Sequence, residues 1–222
     1  MRSVPRSLAI GSAVILMGVF VFVLLASALT QGSPLIRFDQ AVSEALRANL
    51  APRALQVFAA LTHLADTATL TVLCVVGTLV LVARHQRGLA LVWVLAIAGN
   101  GILNQSLKQL IGRVRPFDPE GALLASGLSF PSGHSSGALV AYGMSAYLAL
   151  RLLPKAWRLT AQVTALALAF TVGISRVVLR VHFASDVAAG FASGSAWLAL
   201  CITSAELVYW WRARRASNGH ST

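Results

Sequence analysis

Six stretches of the chain are apolar on every face: 8–29, 57–82, 89–107, 135–153, 159–175 and 187–209. A helix crosses a hydrocarbon core in roughly 20 residues, whereas a membrane strand would alternate polar and apolar over about 10. The pattern predicts an all-α polytopic membrane protein, a six-transmembrane-helix bundle forming one domain over 1–222. Between the first two runs, Phe38, Ala41, Val42, Ala45, Leu46 and Leu50 recur at helical spacing, with Arg37, Asp39, Glu44 and Arg47 between them. That predicts an amphipathic interfacial helix in the first outer loop, serving either as one wall of a ligand path or as a connector.

Composition agrees. Hydrophobic residues make up 57% of the chain and charged residues 11%, and mean hydropathy is +0.73, outside what a water-soluble domain presents. The first run follows Arg2 and Arg6 and closes on Ala26-Ser27-Ala28, as a cleaved signal would, but it exceeds the usual ~7–15-residue signal core and reads as an anchor.

The net charge of +11 raises nucleic acid as a partner, and the placement of the cations removes it. Arg2, Arg6, Arg84, Arg87, Arg151, Lys155, Arg158, Arg212, Arg214 and Arg215 fall in alternate loops and at the two ends. An even number of spans puts these segments on one side, and the positive-inside bias makes that side the cytoplasm, with both termini there. Cys74 and Cys201 lie inside apolar runs and suggest packing rather than redox chemistry.

Polar residues with chemical potential gather in the outer loops. Lys108 and Arg115-Pro116 lie seven residues apart, nearly two helical turns, so both cations can grip one anion. In Phe130-Pro131-Ser132-Gly133-His134, Ser132 reads as the N-cap of the next helix and Gly133 as a point of close ligand approach. Free N–H groups there favour phosphate, and His134 stands where it can protonate a leaving oxygen. Ser175-Arg176, His182 and Asp186 add a planar phosphate binder, an imidazole and a carboxylate one turn further on, able to fix the ring's tautomer and leave the other nitrogen free to attack.

Together, Lys108-x6-Arg115-Pro116, Pro131-Ser132-Gly133-His134 and Ser175-Arg176-x5-His182-x3-Asp186 resemble the three signature motifs of the type 2 phosphatidic acid phosphatase superfamily, in order and at every motif position. The resemblance implies a membrane lipid phosphatase of a bacterial-type inner or plasma membrane. In it His182 is the nucleophile that forms a phosphohistidine, Asp186 orients it, and His134 is general acid and then base. Lys108, Arg115, Ser132, Gly133 and Arg176 are implied to bind the substrate phosphate. No metal or other cofactor is expected, the seven acidic residues being scattered along the chain. The expected partners are the membrane and a lipid phosphate or diphosphate on the non-cytoplasmic face, undecaprenyl diphosphate or phosphatidic acid being the leading candidates.

A lipid or phosphate transporter could use the same cations, but has no need of two imidazoles beside them; vanadate-dependent peroxidases share the motifs in soluble form. Of the other polar positions, His63, Asp66, Thr67, Asn100, Asn104 and Gln105 read as interhelical hydrogen bonding in preference to support of the phosphate pocket or a headgroup contact, with Asp66 expected to pair with the phosphate-binding arginines. Arg113 and Arg180 read as further phosphate or headgroup contacts, and Gly190 with Gly194 as a close-packing step.

Overall fold

The computed structural model describes residues 6–116 and 127–218; Arg2, the segment 117–126 and the last four residues lie outside them. Among the described residues every regular element is helical: α1 (Arg6–Ser27), α2 (Pro34–Asn49), α3 (Pro52–Thr62), α4 (Thr67–Ala83), α5 (Arg87–Ile111), α6 (Gly133–Leu152), α7 (Lys155–Val178) and α8 (Ala184–Asn218). The amphipathic segment is α2. It opens with Ser33 as N-cap, whose hydroxyl accepts from the Ile36 N–H at 3.2 Å, and with Pro34 in the first turn, where its missing N–H costs nothing.

The run 57–82 is not one helix, as its apolar pattern had suggested. The helix starts earlier, at Pro52, and breaks through a 3₁₀ turn, His63–Ala65, before restarting at Thr67. Asp66, at the break, is extended (φ −62°, ψ 153°). Short polar side chains offer the backbone local alternatives to the helix, and here Thr69 Oγ1 donates to the His63 carbonyl at 2.7 Å.

Among the described residues, five segments are long and apolar enough to cross a membrane: Ser7–Ser27, Pro52–Ala83, Arg87–Ile111, Lys155–Val178 and Ala184–Arg212. α6 is not one of them, because Ser135, Ser136, Gly137, Gly143 and Ser145 dilute its apolar content. It is instead the enclosed centre of the bundle, touching α5, α7 and α8. Ala138, Val140, Ala141 and Met144 are fully buried, and Leu81, Trp93 and Ala96 complete the core around its middle. The outer helices have the opposite profile: Leu16 is 71% exposed and Leu79 64%, with Phe20 and Val72 nearly as open. A continuous apolar belt of this kind is matched by hydrocarbon rather than water.

Small residues let α6 and α8 approach closely. A Cβ on Gly190 would stand 2.6 Å from the Ser132 carbonyl oxygen, and one on Gly194 3.2 Å from Ser136 Cα. On the other side of α6, the amides of Asn100 and Asn104 both donate to Ser136 Oγ, at 3.3 and 3.2 Å. Both intramembrane asparagines are therefore interhelical ties.

Candidate active site

His182 is placed by the way α7 ends. Arg180 turns the chain with a positive φ of 55°, and the N–H groups of Val181 and His182 both donate to the Arg176 carbonyl, at 3.2 Å each. The imidazole is thereby folded back over the end of its own helix, 3% exposed. Its Nε2 faces Nη1 of Arg115 at 3.0 Å. Its Nδ1 faces Asp186 Oδ2 and Ser129 Oγ, both at 3.4 Å, a loose approach by hydrogen-bond standards. An arginine only donates, so Nε2 holds the lone pair and the ring proton sits on Nδ1. Burial pushes the His182 pKa down to about 3, against the upward pull of Asp186 and with help from the Arg115 and Arg176 cations. The ring is neutral.

Asp186 stands in the first turn of α8, where a carboxylate suits the helix dipole. Its Oδ2 accepts from the Phe183 N–H at 2.9 Å, the reach-back of a capping box, and from Ser129 Oγ. Its Oδ1 accepts from Arg113 Nη1 at 2.6 Å. Arg113 is therefore not the phosphate or headgroup contact that its place in the loop suggested. Its other arm pairs with Asp39 of α2 at 2.7 Å, and its guanidinium lies 4.3 Å from the Phe183 ring centre. Asp39 also accepts from the Ser185 N–H at 3.0 Å and from Ser185 Oγ.

The charge of Asp39 suggested an outer position, yet it is 1% exposed. The helical spacing, which had grouped Phe38, Ala41 and Ala45 with Val42 and Leu46 and left Asp39 among the polar positions, missed the buried face by part of a turn. Leu35, Asp39, Val42 and Leu46 share one face of α2, and this face is turned inward, whereas Phe38, Ala41 and Ala45 face outward. Ser129 and Thr62, both in the site, had no sequence signal of their own.

The cations converge from three elements. Lys108, in the last turn of α5, donates to the Leu128 carbonyl at 2.5 Å. Arg115 holds the carbonyls of Gly127, at 3.1 Å, and Val181, at 2.6 Å. Arg176 is 2% exposed and donates to Thr62 Oγ1 at 2.7 Å. Among the described residues its Nε is the buried side-chain nitrogen or oxygen left without a partner. A buried guanidinium with an orphan N–H and no carboxylate in contact is a site prepared for an anion. Ser132 caps α6 as expected, its Oγ accepting from the Ser135 N–H at 3.4 Å and also from Ser135 Oγ at 2.8 Å, and a Cβ on Gly133 would stand 3.0 Å from Asn104 Oδ1.

His134 completes the ring of motif residues. Its Nε2 lies 2.7 Å from Asp66 Oδ1, and His63 Nδ1 lies 2.5 Å from Asp66 Oδ2, so among the described residues Asp66 pairs with two histidines and not with an arginine. The chain break after α3 produces this outcome by aiming the carboxylate across at α6. A cavity of about 470 Å³ begins at Lys108, Gly133 and His134 and runs between α4 and α5 past Leu70, Cys74, Val75 and Ile97. Arg180 lies elsewhere, on a smaller polar cavity of about 320 Å³ with Gln40, Glu44 and Arg47.

Neutral imidazole, convergent cations and an adjoining apolar cleft are the parts of a phosphatase that works on amphiphiles within a helical membrane bundle. Comparison with known proteins agrees. The PAP2 superfamily model matches residues 89–210. Phosphatidylglycerophosphatase B of Bacillus subtilis (strain 168) is 34% identical over 178 residues, 79% of this chain and 87% of that one. The crystal structure of the transmembrane PAP2 type phosphatidylglycerolphosphate phosphatase from Bacillus subtilis superposes with a TM-score of 0.80 at 32% identity, covering 87% of this chain and 96% of that one. Aquifex aeolicus LpxE shares the fold, with a TM-score of 0.55 at 20% identity over 79% of this chain and 98% of its own. The chain belongs to the PAP2 superfamily and is a membrane lipid phosphatase.

Proposed function

We propose that the protein removes the terminal phosphate of phosphatidylglycerol phosphate or a closely related lipid phosphate, without a metal and through a phosphohistidine. The observation that carries this reading is the continuity of the phosphate site with an apolar cleft: Lys108 and His134 form the head of a cavity whose body is lined by Leu70, Cys74, Val75 and Ile97. A phosphate held at the head leaves the glycerol backbone and acyl chains in the cleft. Phosphatidylglycerol phosphate is preferred because it is the substrate in the names of both Bacillus relatives. Phosphatidic acid and undecaprenyl diphosphate offer the same head and tail chemistry.

Lys108, Arg115 and Arg176 take the phosphoryl oxygens, with Ser132 and the Gly133 N–H at the start of α6 closing the cradle. Arg115 releases Nε2 of His182 as it turns to phosphate. The Nε2 lone pair forms a bond to phosphorus, the bond from phosphorus to the lipid oxygen breaks, and His134 protonates that oxygen. Asp186 holds the Nδ1 proton and balances the cationic phosphohistidine. Water then attacks phosphorus, giving its proton to His134, and inorganic phosphate leaves with His182 restored.

In the membrane, α6 serves as the fourth span in chain order and brings the single bundle to six. Arg84, Arg87, Arg151, Lys155, Arg158 and Arg212 mark the cytoplasmic side, both termini lie there, and the site opens on the opposite face with α2 at the interface.

The test is phosphate release in EDTA from micelles of each of the three lipids, by wild type and by His182→Ala. Release that is lost in the variant, together with an acid-labile phosphoenzyme in wild type, is expected. Release that survives in His182→Ala would refute the nucleophile, and release from none of the lipids by folded protein would refute the substrate class.

A further inference from the structure

His134 has a carboxylate partner that lies outside all three motifs. Asp66 sits at the break between α3 and α4, its Oδ1 2.7 Å from His134 Nε2 and its Oδ2 2.5 Å from His63 Nδ1. The break itself serves this placement. An uninterrupted helix would keep Asp66 on the α3–α4 axis, whereas the 3₁₀ turn and the extended Asp66 backbone direct the side chain towards the start of α6. Tyr142 of α6 donates to the Leu64 carbonyl at 2.7 Å and so pins the turn against the helix that carries His134.

We propose that Asp66 is the positioning residue of His134: it holds Nε2–H, directs Nδ1 at the lipid oxygen, and supplies the negative charge that lets the ring carry its second proton. The inference rests on the acid role of His134 stated above. The site would then contain two carboxylate–imidazole pairs of opposite polarity. Asp186 faces Nδ1 of His182 at 3.4 Å and leaves Nε2 to attack, while Asp66 holds Nε2 of His134 at 2.7 Å and leaves Nδ1 to protonate. Among the described residues, the charged groups gathered around the pair are Lys108, Arg115 and Arg176 on the phosphate side and His63 on the open side, and Asp66 is the carboxylate that faces this ring.

Leaving-group chemistry separates this role from a merely structural one. An alkoxide leaving from a lipid phosphate needs the proton, and 4-nitrophenolate hardly does. First-turnover release of the leaving group is measured with phosphatidylglycerol phosphate and with 4-nitrophenyl phosphate, for wild type, His134→Ala, Asp66→Asn and Asp66→Glu. Asp66→Asn is expected to slow the lipid reaction by about 10- to 100-fold, the size of one charge-assisted hydrogen bond, with the aryl reaction changed by less than about threefold. Asp66→Glu should recover part of the lipid rate.

Equal losses on both substrates, or no loss, in Asp66→Asn would overturn the proposal while leaving His134 its role, provided that His134→Ala discriminates between them. If His134→Ala also fails to discriminate, the acid role and the proposal fall together. Should Asp66→Asn not fold, Asp66→Glu decides: a selective loss on the lipid supports the proposal, and an unselective one refutes it.

Discussion

Nη1 of Arg115 stands 3.0 Å from Nε2 of His182, so in the resting protein the proposed nucleophile is covered by one of the proposed phosphate ligands. The contact keeps the lone pair on Nε2, and in the proposed mechanism the incoming phosphate competes for the same guanidinium. Arg115 also holds the Gly127 and Val181 carbonyls, which fixes the loop on either side of the ring. A lysine offers a single point charge and cannot span those partners. Arg115→Lys is expected to lower kcat/KM on the lipid by about 100-fold, the loss of one bidentate charged contact; a value within threefold of wild type would show that charge alone suffices.

The depressed pKa of His182, about 3 against an ordinary 6.5, has two consequences for pH. The nucleophile stays unprotonated at pH 5, so phosphoenzyme formation is not slowed by protonation of this ring between pH 7 and 5; rapid-quench measurement of the phosphoenzyme checks this. Stability runs differently. Below pH 6.5 the unfolded chain takes up a proton at His182 that the folded chain refuses, so this group's contribution is full above 6.5 and is lost as pH falls towards 3. Melting temperatures in detergent should therefore decline more steeply over that window in wild type than in His182→Asn.

Arg113 joins two fully buried carboxylates, Asp39 and Asp186. Its removal would leave both without their cation, and breaking a buried pair in this way costs about 3–5 kcal/mol. Arg113→Met is expected to lose activity and to melt well below wild type. Melting at the wild-type temperature would show that the Asp39 link is not structural.

Gly190 allows the Ser132 carbonyl to lie against α8. Gly190→Ala forces that backbone contact apart and should destabilise by about 1–3 kcal/mol, as overpacking does. Gly101→Ala meets nothing within 4 Å and should gain about 0.5–1 kcal/mol from helix propensity. Thermal unfolding of the two variants checks both signs.

Much of this protein was legible from local pattern, for a physical reason. A hydrocarbon solvent demands long apolar helices, so 8–29, 89–107 and 159–175 foretell α1, α5 and α7 to within a few residues. The motif residues then had to lie near helix ends: Lys108 closes α5, His134 opens α6, and Arg176 and Asp186 flank the turn that carries His182. That one compact site could contain all of them was implied by the resemblance of the three motifs to a known family, together with a topology that puts both loops on one side.

What the tertiary structure decided was partnership. Arg113 and Arg115 are alike in sequence, two residues apart in one loop, yet one is bound between Asp39 and Asp186 and the other faces His182. Asp66 looked like a carboxylate in need of an arginine and found His134, because the helix broke beneath it. Residue type and period report how a side chain relates to its own helix. Which charge neutralises which is set by the packing of helices far apart in sequence, where a buried charge takes the partner that geometry brings within reach.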